Sequence, residues 1–486
     1  MDVRFERVKG KALAEVCGLY QEVIADMRAR GLRQWDWDSY PTRELLERDV
    51  KAGRLYRACA KGAPIAAFAL CADMEDEYAR LSWQYGVKPA SLHRVAVAPD
   101  RFDAAFVKEL LTFAKAEALR EGYDSLRLDA CREDEDMLAL FRGEMTREVG
   151  ETRFENPDSV NLCFESPLSP TCPMLPVKQH PAFRHGEQTP WGGDGLKTVY
   201  HMDIPDERTG EAMAISAIDG LESTSDAGET LAALARREPF RLCGDKDERA
   251  FPLLLKLLCA KQPLSVQVHP NDRYAMEHEH KLGKTEAWVI LHAEKDASIL
   301  YGLKSGVTTE QLKQKLEAGA DIEGLIDRVS VKAGDVYYMP SGMVHAIGGG
   351  ILLYEIQQSS DVTYRLWDYN RVNAEGQKRP LHIRQSLDVI DPTLRGQRAR
   401  MPEELRNGVT RLLDVPAFKL DCVSVNGEYE LAPYPQGFRM LTALAGLLLR
   451  WQGDALELEA GESVVLPAAC PSVTLTGVGR ALLARE

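Results

Sequence analysis

Four side chains with ligand chemistry fall on short, strand-like stretches of this sequence. In "SVQVHPND" (265–272) an extended backbone puts Ser265, Gln267 and His269 on one face and Val266 and Val268 on the other. Glu286 heads the apolar run of "GKTEAWVIL" (283–291). His345 follows two turns in "GDVYYMPSGMVHAI" (334–347), one at Gly334-Asp335 and one at Pro340 and Gly342, and opens the next strand facing inward. Taken singly, each has a bland reading: a lone strand histidine is more often a hydrogen-bonded core residue, and a glutamate at a strand head is usually solvated. Together they are costly to bury unless something satisfies them. A divalent cation does so. Two neutral imidazoles and a carboxylate form a ligand set suited to catalytic zinc, with a position left open for water or substrate. Fe(II) and Mn(II) suit the same set, and spacing leaves the choice open. Gln267 is the weakest donor, a neutral amide that could instead support the ligands from behind.

The elements that must position these residues divide at "ESPLSPTCPMLPVKQ" (165–179). Its prolines at 167, 170, 173 and 176 predict a stiff, extended linker. We expect residues 1–165 to be one α+β domain and 166–178 the linker. Residues 179–395 then form a metal-binding catalytic domain, and 396–486 a metal-free β domain. Before the linker, helices are expected over 11–30, 42–53 (Thr cap, terminal Gly), 104–122 and 134–142. A hairpin turning at Lys61-Gly62 and strands over 91–99 and 125–130 complete it. After the linker short strands dominate, among them 264–269, 286–292, 297–302, 335–339, 351–357, 362–366, 418–424 and 463–466. Helices interrupt at 229–236, 309–318 and 383–389. The overall expectation is a multidomain chain: α+β first, then an all-β barrel or jelly-roll region with a few helices.

Bulk properties narrow the function. The 486 residues carry a formal charge of −14, which argues against nucleic acid and anionic membrane as partners while allowing an anionic small substrate held by local Arg or Lys. The N-terminus "MDVRFERVKGK" is charged where a signal peptide is apolar, and the apolar run "MLTALAGLLL" (440–449) is too short to span a bilayer. Ten cysteines show no CxxC spacing, so reduced thiols and a cytoplasmic location are expected. No oligomeric state follows from the sequence.

"LSVQVHPND", "GKTEAWVI", "GDVYYMPSGMVHAI" and "YEIQQSSDVTYRLWDYNR" (354–371) occur in that order, preceded by "WGG" (191–193) and "TGEAMAIS" (209–216). The set resembles the type I phosphomannose isomerases, zinc enzymes of the cupin superfamily, over about residues 173–486, the length of their shorter bacterial form. The resemblance implies one zinc ion per chain at Gln267, His269, Glu286 and His345. It places the active-site cations at Lys284 and Arg365, with Asp361 four residues before Arg365. It also implies a hexose 6-phosphate substrate and interconversion of mannose 6-phosphate and fructose 6-phosphate. Physical chemistry agrees with that reaction. Moving a proton between C1 and C2 passes through an enediol, whose oxyanion needs a Lewis acid or nearby cations. Asp361, Thr363 and Arg365 share parity in a strand, and Arg365 could clamp the phosphate or, alternatively, neutralise Asp361 or Asp368. Asp361, Lys284 and a metal-bound water are each candidates to take the proton. The stretch 446–468 repeats the cupin rhythm without histidine, as expected of a second, metal-free barrel.

The element order before the linker resembles the Gcn5-related acetyltransferase fold. Active members wrap the acetyl-CoA pyrophosphate in a Gly-rich loop at a helix N-terminus. Here that loop is "RFDAAF" (101–106), with Ala104 and Phe106 in place of glycines and Phe106 expected to block close approach. Phe141 stands where a Tyr general acid is usual, and Asp134 where an Asn starts the helix. The expectation is therefore an isomerase fused to an inactive acetyltransferase-like domain. The competing readings are a bifunctional protein with a working N-acetyltransferase, a cupin that senses sugar phosphate without turnover, and an Fe(II) oxygenase.

Overall fold

The computed structural model describes residues 3–72, 76–86, 88–155, 158–168, 173–244, 251–373 and 375–486. Pro170, within the expected linker, and Cys172 lie outside the described residues. The chain packs as two compact units: residues 1–173 with 235–249, and residues 174–234 with 250–486.

The first unit is α+β. Its sheet runs in the order Val3–Arg7, Leu55–Ala60, Ala63–Cys71, Pro89–Val97, Ser125–Cys131, Asp158–Pro167, Arg147–Glu155. Local chemistry sets several element ends. The Thr42 hydroxyl accepts a hydrogen bond from the Leu45 amide to start helix Arg43–Ala52, and Gly53 ends it at φ 71°. The hairpin turns where expected, with Lys61 and Gly62 both at positive φ. The outer strands Val3–Arg7 and Arg147–Glu155 were not expected: "VRFER" is short, and "REVGETRFE" is too charged to show an apolar face. Phe106 corrects an expectation. It lies in the first turn of helix Ala104–Arg120 with its ring buried in the core, so it does not wall off the loop.

The strand Pro89–Val97 departs from regularity at Arg94, which sits in the left-handed region at φ 55°. Its register against Ala63–Cys71 shifts there, and its parallel pairing with Ser125–Cys131 runs only from Pro89–Ser125 to Leu92–Leu128. A non-glycine residue in this conformation costs energy that its surroundings must offset. The fully buried Asp49 carboxylate does so, 2.9 Å from the Arg94 guanidinium, and the Tyr20 hydroxyl donates to the Arg94 carbonyl. Removing one partner of such a pair strands the other charge. Asp49→Ala is expected to lower stability by about 3–5 kcal/mol, read from chemical denaturation of the full chain.

The second unit holds three sheets. One runs Gln397–Arg400, Asp335–Met339, Glu286–Ala293, Ile351–Gln358, Leu253–Ala260, Glu211–Ile215, Ala182–Arg184. The second runs Ile326–Ser330, Ser298–Leu303, His345–Ile347, Val266–Val268, Tyr364–Trp367. These two bury a shared core that includes Trp288, Leu353 and Ile299. The third sheet is built mainly from strands between Gly408 and Arg485, and Val177–Gln179 joins its edge beside Ser463–Leu466. The expected linker is thus shorter than its prolines imply, since Ser166 and Pro167 end one strand and Val177 begins another. Among the described residues no helix is long and apolar enough to cross a membrane.

Candidate active site and metal centre

Glu286 opens its strand on the first sheet, while Gln267 and His345 are paired neighbours on the second. His269 lies one residue past the strand Val266–Val268. Two backbone contacts bring these segments together. The Gly342 amide donates to the His269 carbonyl at 2.8 Å, joining the turn before His345 to His269. Gly342 has φ 87°, and a Cβ there would also press on the Val389 carbonyl. Gly283 lies against the backbone of Pro270–Asp272, where a Cβ would come within 2.4 Å of the Asp272 nitrogen, and the Lys284 amide donates to the Pro270 carbonyl.

The result is a convergence of donors. His269, Glu286 and His345 each offer a ligand atom within 4.8 Å of the others, and all three are buried. The two imidazoles are oriented by their Nδ1 atoms, His269 on the Val362 carbonyl at 3.1 Å and His345 on the Met343 carbonyl at 2.8 Å. A proton on each Nδ1 leaves both Nε2 atoms as lone pairs. Those lone pairs face the Glu286 carboxylate, at 3.3 Å from His269 and 3.2 Å from His345. Burial pushes the His269 imidazolium pKa down to about 3, so the ring is neutral at ordinary pH. Burial alone would raise the Glu286 carboxyl. The Lys284 ammonium opposes it, and the group is held well below the usual carboxylate range.

Two lone pairs facing a carboxylate repel it unless a cation sits among them. One cation is already drawn in: the Lys284 ammonium lies 2.9 Å from Glu286 and 3.2 Å from His269. The donor set therefore fits a divalent metal ion with nitrogen and oxygen ligands. Gln267 lies beside this set. Its amide nitrogen lies 3.5 Å from His345 Nε2, and its side chain is half-buried.

Gln267 and Lys284 line a cavity of about 250 Å3, together with Asp361, Thr363 and Arg365. Arg365 reaches Ser265 Oγ through Nε and the Pro380 carbonyl through Nη1, with no ion pair to a carboxylate among the described residues. The alternative in which it neutralises Asp361 or Asp368 is not what is found. Asp361 pairs with Lys281 at 2.6 Å, and Asp368 is held by Arg371 and Arg379. Burial and the neighbouring Arg379 pull the Arg365 pKa down from its ordinary value.

Sequence reasoning missed the charged ladder on the cavity wall. Arg184, Glu211, Lys256 and Glu355 come from four adjacent strands. Glu211 lies 3.4 Å from Arg184 and 3.6 Å from Lys256, and Lys256 lies 3.1 Å from Glu355. The Trp288 indole donates to the other Glu355 oxygen at 3.0 Å. Burial favours neutral Lys256, but Glu211 and Glu355 outweigh it and raise its pKa. The available signal was a single ionisable residue inside an apolar run, as in "LLLKLLCA" and "ILLYEIQQ".

Fold and site define a metal-binding β-sheet enzyme whose buried donors come from two facing sheets. Residues 184–284 match the model of the phosphomannose isomerase type I catalytic domain. Over 302 residues the chain is 38% identical to a probable mannose-6-phosphate isomerase of Bacillus subtilis, an alignment covering 59% of this chain and 92% of that protein. A mannose-6-phosphate isomerase of Streptococcus mutans is 46% identical over 204 residues, covering 41% of this chain and 64% of that protein. The crystal structure of the mannose 6-phosphate isomerase from Bacillus subtilis superposes with a TM-score of 0.60 at 34% identity, covering 64% of this chain and 100% of that one. The chain belongs to the type I phosphomannose isomerase family.

Proposed function

We propose that the chain interconverts mannose 6-phosphate and fructose 6-phosphate, with one zinc ion held by His269, Glu286 and His345. The observation that carries this reading is the buried, donor-rich triad beside a cavity lined by Arg365, which has no ion-pair partner among the described residues. When bound, zinc supplies a Lewis acid for the negative charge that develops on the substrate oxygens.

The chain's own residues do the rest. Arg365, with Arg379 nearby on the cavity wall, anchors the phosphate of the hexose 6-phosphate. Gln267, whose amide end lies 3.5 Å from His345 Nε2, is placed to offer a fourth donor to the same ion. Lys284, Asp361 and the newly found Glu355 are the groups placed to hold or move the proton between C1 and C2. Glu355 keeps one oxygen tied to Trp288 and turns the other to Lys256.

The first unit, in this reading, is not a working acetyltransferase. At the N-terminus of helix Ala104–Arg120, where a pyrophosphate would dock, the Asp103 carboxylate already accepts the Phe106 amide at 2.8 Å and sets a negative charge in the way. Phe141 offers no proton to a leaving group. Buried thiols such as Cys17, Cys59 and Cys422 fit a reducing, cytoplasmic setting.

The test is metal analysis of the purified full chain with a coupled assay on mannose 6-phosphate. One zinc per chain, loss of turnover with a chelator and its return with added zinc are expected. Full turnover by metal-free protein would refute the reading, and so would tight hexose 6-phosphate binding without turnover by the zinc-loaded chain.

A further inference from the structure

Arg439 carries a buried charge that the isomerase reading does not use. It opens strand Arg439–Ala443 of the third sheet. Side chains alternate along a strand, so Arg439 shares a face with Leu441 and Ala443, which belong to the apolar core of that sheet. Leu466, paired with Arg439 across the ladder, belongs to the same core. The arginine is only 5% exposed.

A guanidinium in such a place needs acceptors. Its Nε and Nη2 are sealed from solvent and meet no hydrogen-bond acceptor among the described residues. No carboxylate pairs with it there either. The ionisable groups beside it are the Cys470 thiol, Arg485 and Tyr434. Burial lowers the Arg439 pKa from its ordinary value, and the charge of Arg485 lowers it further. A buried charge without a counter-charge is a standing cost to the fold.

The neighbours do not offset that cost. The register that sets Met440 opposite Ala484 brings Arg485 alongside Arg439. Asp421, the buried carboxylate at this end of the core, is already taken: Arg485 holds one oxygen at 2.6 Å and Arg411 the other. Arg411 is shared in turn with the exposed Asp414. The Tyr434 ring lies 5.8 Å from the Arg439 guanidinium and 5.5 Å from that of Arg485. Stacking on a ring uses the flat face of a guanidinium and leaves its N–H edge for an acceptor. Tyr434 belongs to the turn 432–436, whose other residues are exposed, so the group covering the guanidinium lies at the surface.

An oxyanion supplies what is missing, a negative charge and several acceptor oxygens, two of which match the arginine fork. A metal ion or an amine would meet the positive charge of Arg439 and Arg485 instead. We propose that this end of the third sheet's core binds a small oxyanion, a phosphate or carboxylate group, on the N–H edge of Arg439 with Arg485 beside it. Neither arginine lines the cavity that holds Arg365. The site lies wholly within the second unit and stands independently of the isomerase assignment.

Calorimetry on the full chain at constant ionic strength tests it, with inorganic phosphate and acetate as probes and chloride as the control. The titrations use an Arg365→Ala background, so that the isomerase cavity does not compete for phosphate. At least one of the two oxyanions is expected to bind at or below about 5 mM, and at least about tenfold tighter than chloride. Preference for phosphate would assign the site to a phosphate group, and preference for acetate to a carboxylate. Adding Arg439→Met, which keeps an apolar stem and removes the charge, should weaken the bound anion by about tenfold or more. Arg439→Met alone should leave isomerase turnover unchanged, the control for folding. If that variant fails to fold, Arg439→Lys, which keeps the charge without the fork, should weaken the anion by about fivefold or more. Equal affinity for chloride and the oxyanions would overturn the proposal. So would no binding of either oxyanion up to about 50 mM, or unchanged affinity in whichever Arg439 variant folds.

Discussion

His345→Ala is expected to strip the protein of its metal and to lower isomerase turnover by at least about a thousandfold. The substitution removes one of three convergent donors, and the remaining pair, His269 and Glu286, is a poor cage for a divalent ion. The His345 ring is also packed, edge-on to Trp288 with centroids 5.5 Å apart and 4.9 Å from the His269 ring, so its loss leaves a hole as well as a missing ligand. His345→Gln, which keeps more of the volume, separates the two effects. A well-folded glutamine variant without metal and without turnover assigns the loss to ligation. Elemental analysis and the coupled assay, run on the same preparations, decide it. Undiminished turnover in a metal-free variant would remove His345 from the metal centre.

Arg365→Ala is expected to do the opposite with the metal: retain it, and lose turnover by about 10²–10³-fold. Arg365 touches none of the three donors. Its guanidinium is fixed by neutral partners, Ser265 and the Pro380 carbonyl, so its charge is left for a ligand. Arg379 and Arg371 share one carboxylate, Asp368, which leaves that end of the cavity net positive. Lysine at position 365 restores charge without the planar fork and should recover only part of the rate. If phosphate anchoring is the role, a sugar lacking the phosphate should lose little further on substitution. Normal turnover in Arg365→Ala would sink the assignment.

The metal triad was legible because its signals are local. "VQVHP", "TEAWVI" and "GMVHAI" each put a polar group at a strand position whose neighbours are apolar, and burying such groups needs a reason. Turn chemistry was equally readable at Lys61-Gly62 and at Thr42. The charged ladder was harder. Lys256 sits in an eight-residue run buried along its whole length, where neither period 2 nor period 3.6 emerges and a single lysine looks like an interruption. Its meaning depends on Glu211 and Glu355 across the sheet, which no window of sequence contains. Arg365 lines the cavity, but its freedom from Asp361 could not be read from sequence: Lys281, eighty residues from Asp361, takes that carboxylate. The packing of residues 235–244 with the first unit is likewise a contact between distant segments, without local signature.

The row from Arg184 through Glu211 and Lys256 to Glu355 constrains how this protein can change over generations. Each charge there is balanced by the next strand, so a lone replacement leaves an odd charge under the sheet and a large penalty. Tolerated change in that wall must come as compensating pairs, Lys256 altering together with Glu211 or Glu355. Sister sequences should show these positions drifting in concert or not at all, while the exposed ends of the same strands vary one residue at a time.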